Sequence, residues 1–209
     1  IAALQVVAVS LARGKPLSVR RLFQRLNAFL DDNTVVIADP GDATFGAIDM
    51  TIHGETEFLA PAYYNSLGFA VPAGLGVQMA RPELRPLVLV GDGAFQMSGM
   101  ELSTIARFGC SPIVIVLNNR GYSTERPMLD GSFNDVHLWR YSRIPEVLDA
   151  GKGFEAGTED QLEDALEECR RHTESFCIVD VHIDPQDRSQ ALHRLTDALK
   201  SRVTARSDN

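Results

Sequence analysis

The sequence predicts an α/β fold: a doubly wound parallel sheet with helices on both faces. Continuous apolar, β-branched runs recur at 34–38, 87–90, 113–117 and 176–181, the pattern of strands covered on both faces. Segments of helical periodicity separate them, as repeated βαβ units require. The residues with unusual chemistry follow the carboxyl ends of these runs, where open parallel sheets place their ligands.

Each element can be justified in chain order. Pro16-Leu17-Ser18 opens a helix in which Leu22, Leu26, Phe29 and Leu30 return at helical spacing, with Ser18 as N-cap. Thr34-Val35-Val36-Ile37-Ala38 is the first strand. The turn chemistry of Asp39-Pro40-Gly41-Asp42 ends it, and Thr44-Phe45-Gly46 is expected in the loop beyond. From 66 to 80 small residues dominate (Gly68, Ala70, Ala73, Gly74, Gly76), predicting a helix close against a neighbouring backbone or ligand, with Leu67 and Phe69 as bulky exceptions. Leu87-Val88-Leu89-Val90 is the second strand and runs into Gly91-Asp92-Gly93-Ala94-Phe95.

Residues 101–108 repeat as a helix with Leu102, Ile105 and Ala106 inward and Gly109 as its stop. Ile113-Val114-Ile115-Val116-Leu117 is the third strand, and Asn118-Asn119-Arg120-Gly121-Tyr122 turns it out of the sheet. Thr158-x-x-Gln161 reads as a capping box ahead of Leu162, Ala165, Leu166 and Cys169, and the acidic residues of 159–168 are expected on a solvated face. Residues 176–181 form the last strand, and the tail from Pro185 is polar and helical.

Composition narrows the function. The chain has 209 residues, 44% of them hydrophobic, enough for a sizeable core without disulfides or a structural metal. A net charge of −8 opposes attraction to nucleic acid or to anionic membranes. No apolar stretch reaches the roughly 18–20 residues of a spanning helix, and no signal-peptide pattern is present. Cys110, Cys169 and Cys177 form neither a CxxC nor a metal quartet, and three buried thiols suit a reducing, cytoplasmic setting. The first residue is Ile1, and the apolar stretch 1–11 followed by Arg13-Gly14-Lys15-Pro16 reads as a cut inside a longer chain. The expected organisation is an interdomain linker remnant over 1–16, a cofactor-binding domain over 17–185 and a helical tail over 186–209.

Gly91-Asp92-Gly93 comes directly off a buried strand into a helix start, so the backbone N–H groups of Gly93, Ala94 and Phe95 could meet an anion, and the glycines let a phosphate approach. Neither GxGxxG nor GxxxxGK[ST] occurs. A carboxylate among phosphate-directed amides would repel the ligand unless a divalent cation lay between them, as Mg²⁺ does where protein and phosphate oxygens share it, so Asp92 predicts a metal. The second oxygen ligand should come from another strand end on the same sheet edge. Asn119, 27 positions after Asp92, supplies it across one βαβ crossover.

Gly91-Asp92-Gly93, that interval and Asn118-Asn119 resemble the thiamin-diphosphate signature: GDG, fewer than thirty residues, then NN. The resemblance covers nearly the whole chain and is to the pyrophosphate-binding domain of 2-oxo-acid decarboxylases of the pyruvate, indolepyruvate and phenylpyruvate type. It implies that Asp92, the Asn119 side chain and the Gly121 carbonyl bind Mg²⁺, which grips the diphosphate beside Gly91, Gly93, Ala94 and Phe95.

Asn119-Arg120-Gly121-Tyr122-Ser123-Thr124-Glu125 resembles the NxGYxxE of the decarboxylase branch, which puts Tyr122 and Thr124 at the cofactor and implies a catalytic Glu125. Desolvation beside substrate and cofactor would raise the Glu125 pKa into the range useful for protonating what remains after CO₂ departs. The competing reading of Glu125 is a solvent-facing partner of Arg126. Thr124 would face the substrate or simply pack its loop.

Asn65-Ser66-Leu67 resembles the segment under the cofactor, where Leu67 would wedge the two rings into a bent shape and the Asn65 carbonyl would accept a hydrogen bond from the amine. Asp42 stands where many relatives have Thr or another small polar residue, and it could either bond the pyrimidine side or cap a turn. The family implies a 2-oxo acid substrate, non-oxidative decarboxylation to aldehyde and CO₂, and a homodimer or homotetramer. It also implies a pyrimidine-binding domain, supplied by another subunit, that completes the site. An acetolactate synthase-like carboligase and a non-catalytic cofactor-binding or assembly module are the alternatives.

His53, His137, His172, His182 and His193 are scattered without HxxxH or HxH pairing, and no GxSxG is present, so neither a transition-metal site nor Ser-His hydrolysis is supported. Trp139 and Tyr141 are expected to pack a crossover.

Overall fold

The structure is a computed structural model and describes residues 10–54 and 57–196. Most of the apolar stretch at the amino terminus, 1–9, lies outside the described residues, as does 197–209 of the tail.

Six parallel strands form one sheet in the order β2-β1-β3-β4-β6-β5. They are β1 (Thr34–Ala38), β2 (Phe58–Leu59), β3 (Arg85–Gly91), β4 (Ile113–Asn118), β5 (Lys152–Ala156) and β6 (Cys177–His182). The four expected strands are β1, β3, β4 and β6, and they occupy the sheet's centre, where both faces are covered. β1 and β4 are buried at every position, which is why their sequences run apolar without alternation. β2 and β5 are edge strands with no apolar run, so nothing in the sequence announces them.

The helices are α1 (Val19–Phe29), α2 (Asp42–Ala47), α3 (Ala70–Ala80), α4 (Asp92–Ser98), α5 (Leu102–Arg107), α6 (Ile144–Leu148) and α7 (Glu159–Arg171). α1 starts as expected, with the Ser18 hydroxyl accepting from the Arg21 N–H, and buries Leu22 and Leu26 completely. Each such leucine contributes about 1.5–3 kcal/mol. α1 and α7 cover one face of the sheet together with Val36, Leu87, Leu89, Ile115 and Val179; α3 to α6 cover the other with Ile37, Val88, Val114 and Ile178. Layers on both faces make the fold doubly wound, as the sequence indicates. All three cysteines are free and buried.

Five local expectations need correction, the last of them in the tail. Residues 44–46 belong to helix α2, not to a loop: Gly41, at φ 97°, turns the chain so that Asp42 opens the helix. The small-residue helix begins at Ala70 because Asn65 (φ 55°) and Gly68 (φ 82°) are left-handed, which no α-helix continues through. The capping box of α7 is not closed. Thr158 makes no side-chain cap bond, and Gln161 accepts from Gly157 N–H at 2.9 Å. The acidic stretch is not wholly solvated either, because Glu159 is buried and takes both Nε and Nη2 of Arg21, at 2.6 and 2.5 Å, tying α7 to α1. The guanidinium holds the Glu159 carboxyl below the usual range.

Past β6 the helix of the tail starts at 190, not at Pro185. Its lead-in is anchored at Asp187, whose Oδ2 accepts the Val19 N–H at 2.7 Å.

Candidate functional site

The strand order reverses between β1 and β3, so the chain leaves these neighbouring strands in opposite directions and opens a crevice beyond their carboxyl ends. A cleft of about 1020 Å³ lies there, its walls supplied by the segments that follow β1, β3 and β4. Of the candidate residues, Asp42, Asn65, Leu67, Gly91, Asp92, Gly93, Ala94, Asn119, Gly121, Tyr122, Thr124 and Glu125 all line it. Ser66 and Phe95 do not. Ser66 is exposed, and the Phe95 ring is fully buried in the core, edge-on to Tyr141 at 5.3 Å.

Asp92 sits at the junction of β3 and α4 with 1% of its surface exposed. Its Oδ1 accepts from Gly93 N–H at 2.7 Å and its Oδ2 from Gly121 N–H at 3.0 Å, so one carboxylate ties two strand ends together. Burial pushes its pKa from 3.8 up to about 6, against the pull of those amides, and the nearby Asp180 pushes the same way. Beneath it, Tyr141 Oη donates to the Asp92 carbonyl at 3.2 Å and accepts from Gln96 Nε2 at 2.9 Å. Tyr141 thus packs a crossover as expected, and in doing so fixes the floor of the site.

The glycines are there for space. A Cβ on Gly93 would come within 2.8 Å of the Tyr122 ring, and one on Gly121 (φ 143°) within 2.0 Å of the Asn134 carbonyl. At Gly91 a Cβ would meet nothing within 4 Å, which leaves open room beside Asp92. Asn119 is buried at the end of β4, and among the described residues its side-chain amide has no hydrogen-bond partner.

This donor set fits a hard cation. One carboxylate, one unengaged amide and a loop carbonyl are what Mg²⁺ takes from a protein when diphosphate oxygens and water complete its shell. Among the described residues no group of three or more His, Cys, Asp or Glu could hold a metal.

Glu125 stands exposed at the cleft, so the desolvation expected of it is not present in this chain. Nor does it pair with Arg126, which instead holds Asp130 at 2.8 Å and Asp135 at 2.7 Å. Thr124 lies across from Gly41, where a Cβ would approach its methyl at 3.8 Å. Leu67, 38% exposed, reaches the cleft from the turn ahead of α3.

Two aspartates take roles that their local sequence does not disclose. Asp39, read as turn chemistry, is wholly buried and accepts Gly68 and Ala70 N–H at 3.0 and 2.8 Å, so it fixes the turn that presents Leu67 and starts α3. Asp42 neither caps a turn nor stands free, because its two oxygens accept Ser189 N–H at 3.2 and 2.9 Å. That bond draws the last described helical residues over the cleft, where Leu192, Leu195 and Thr196 form part of its wall. Burial raises the pKa of both carboxyls. No sequence signal could have found this wall, since 147 residues separate Asp42 from Ser189.

Fold and cleft together define a cofactor-binding domain of the doubly wound class. The family model for the thiamine pyrophosphate enzyme C-terminal TPP binding domain matches residues 35–181, and the chain belongs to that family. An alpha-keto-acid decarboxylase of Mycolicibacterium paratuberculosis is 34% identical over 173 residues, 81% of this chain and 31% of that protein. A pyruvate decarboxylase of Neurospora crassa is 31% identical over 184 residues, 86% of this chain and 32% of that protein. An alpha-keto-acid decarboxylase of Mycobacterium tuberculosis is 31% identical over 192 residues, 90% and 34% respectively. The chain therefore spans about a third of the length of these curated relatives. Among the described residues no helix is long and apolar enough to cross a membrane.

Proposed function

We propose that this chain is the diphosphate- and Mg²⁺-binding domain of a thiamin-diphosphate-dependent 2-oxo-acid decarboxylase that releases an aldehyde and CO₂. One observation carries the reading: Asp92, buried at one strand end, shares a cleft wall with Asn119, whose amide is unengaged at the next strand end. The decarboxylases that match the chain, and Glu125 at the cleft, support the choice of reaction.

In this reading Asp92, the Asn119 side chain and the Gly121 carbonyl hold Mg²⁺, and the backbone of Gly91, Gly93 and Ala94 leaves room for the diphosphate. Bound thiamin diphosphate supplies the electron sink for loss of CO₂. Leu67 and Asn65 orient the other end of the cofactor, which reduces the entropic part of the barrier. Tyr122 packs against Gly93, keeping the floor closed to water. Thr124 faces the 2-oxo acid, and Glu125 delivers the proton that replaces CO₂. Asp42 serves the cleft by holding the segment that carries Leu192, Leu195 and Thr196. A pyrimidine-binding domain of a second subunit covers the exposed side of the cleft, in a homodimer or homotetramer, and supplies the desolvation that Glu125 lacks here.

Calorimetric titration of thiamin diphosphate, with and without Mg²⁺, into the parent and Asp92→Ala chains tests the reading. Saturable, Mg²⁺-dependent binding that the substitution abolishes is the expected result. Binding that survives in Asp92→Ala, or that ignores Mg²⁺, defeats it.

A further inference from the structure

The least expected residue of β6 is Asp180. Its neighbours Cys177, Ile178, Val179 and Val181 are apolar and buried, and the strand is paired on both sides, with β4 and with β5. Asp180 is itself only 2% exposed. A carboxylate in such surroundings is strongly unfavourable unless it is partnered, so what partners it shows what it is for.

Its Oδ1 accepts from Asn118 Nδ2 at 2.9 Å, and its Oδ2 lies 3.5 Å from His182 Nε2 at the exposed end of the strand. The parallel register sets Val116 opposite Asp180 and Asn118 opposite His182, so Asp180 reaches one pleat forward to grip the last residue of β4. The next residue along the chain is Asn119. The two Asn residues of the NN pair thus face different ways: Asn119 lines the cleft, and Asn118 is held from behind.

Resting on the cofactor reading above, we propose that Asp180 is a positioning residue for the cation site. Gripping the Asn118 amide fixes the strand end that presents Asn119 to the cation site. Groups that bond a metal ligand from outside change affinity by about 10- to 100-fold when removed, and Asp180, which bonds the residue before Asn119, belongs at the lower end of that range.

The test uses Asp180→Asn, which keeps an acceptor for Asn118 and loses the charge, and Asp180→Leu, which loses both. Two quantities are read in the full chain: hydrogen exchange at the Gly121 amide without cation or cofactor, and the Mg²⁺ affinity at saturating thiamin diphosphate. Asp180→Asn, which keeps the acceptor, should retain both Gly121 protection and the Mg²⁺ affinity of the parent. Asp180→Leu should lose protection by at least about tenfold and weaken Mg²⁺ by about tenfold.

Loss of Gly121 protection in Asp180→Asn overturns the role of the Asn118 contact even if the leucine variant fails to fold. Unchanged protection in a folded Asp180→Leu overturns the positioning role. Both results, with a parent that binds Mg²⁺, leave the cofactor reading standing. A parent chain that binds no Mg²⁺ overturns that reading and this proposal together.

Discussion

Glu125 and Arg126 are sequence neighbours with opposite fates. Arg126 is committed to Asp130 and Asp135, while Glu125 is left exposed at the cleft with no ion-pair partner among the described residues. A carboxyl that stabilises nothing and borders a cofactor-sized cavity is where a proton donor is to be sought. Glu125→Gln in the complete enzyme is expected to slow CO₂ release from a 2-oxo acid by roughly 10²–10⁴-fold, the usual worth of general acid catalysis, with little change in melting temperature. Turnover equal to that of the parent would remove Glu125 from the mechanism. The identity of Glu125 was legible from the NxGYxxE resemblance, but its exposure was not, because desolvation depends on what covers the cleft.

At the scale of elements, the close approach of α1 to α2 is built on one glycine. A Cβ at Gly46 would fall 2.0 Å from the ring of Phe23, which α1 buries in the core. Gly76 in α3 is the opposite case, with nothing within 4 Å of the position a Cβ would take. Gly46→Ala should therefore destabilise by about 1–3 kcal/mol through overpacking. Gly76→Ala should stabilise by about 0.5–1 kcal/mol, since alanine restricts the unfolded chain more than glycine does. Urea unfolding of the two variants checks both signs, and a neutral Gly46→Ala would mean that α2 shifts freely on α1. Both glycines read alike in the sequence. What distinguishes them is a neighbour 23 residues away in the chain.

Across the whole molecule, burial concentrates carboxylates at the edge of the sheet that forms the cleft: Asp39, Asp42, Asp92 and Asp180 are all buried with raised pKa values. For Asp92 the folded value of about 6 exceeds the ordinary 3.8, so the folded state binds its proton more tightly than the unfolded state does. Its contribution to stability is full below about pH 4 and is lost as pH rises through about 6, about 3 kcal/mol in all. About half of that loss falls between pH 5 and 7.5. Without cation, the parent should therefore lose about 1–1.5 kcal/mol more than Asp92→Ala over this interval in urea unfolding. Mg²⁺ with thiamin diphosphate should cancel the loss in the parent alone, because a cation that binds the ionised carboxylate stabilises the form that burial disfavours. Equal pH slopes in the two proteins would show that Asp92 ionises freely.

The sequence by itself determined the fold class, the central strands and the two strand-end motifs at which we propose that a cation is held. Those features depend on local patterns: uninterrupted apolar runs mark strands covered on both faces, and Gly91-Asp92-Gly93 and Asn118-Asn119 mark two strand ends a crossover apart. Only the tertiary structure decided which strand ends are neighbours, and with them the work of Asp39, Asp42 and Asp180. Each of these aspartates is bonded to a segment distant in sequence, by 29, 147 and 62 positions, and side chains of one type look the same until the chain brings their partners to them. Edge strand β5 and the cleft wall at Leu192 and Leu195 stayed hidden for the same reason: their position comes from pairing and tethering rather than from any periodicity of their own.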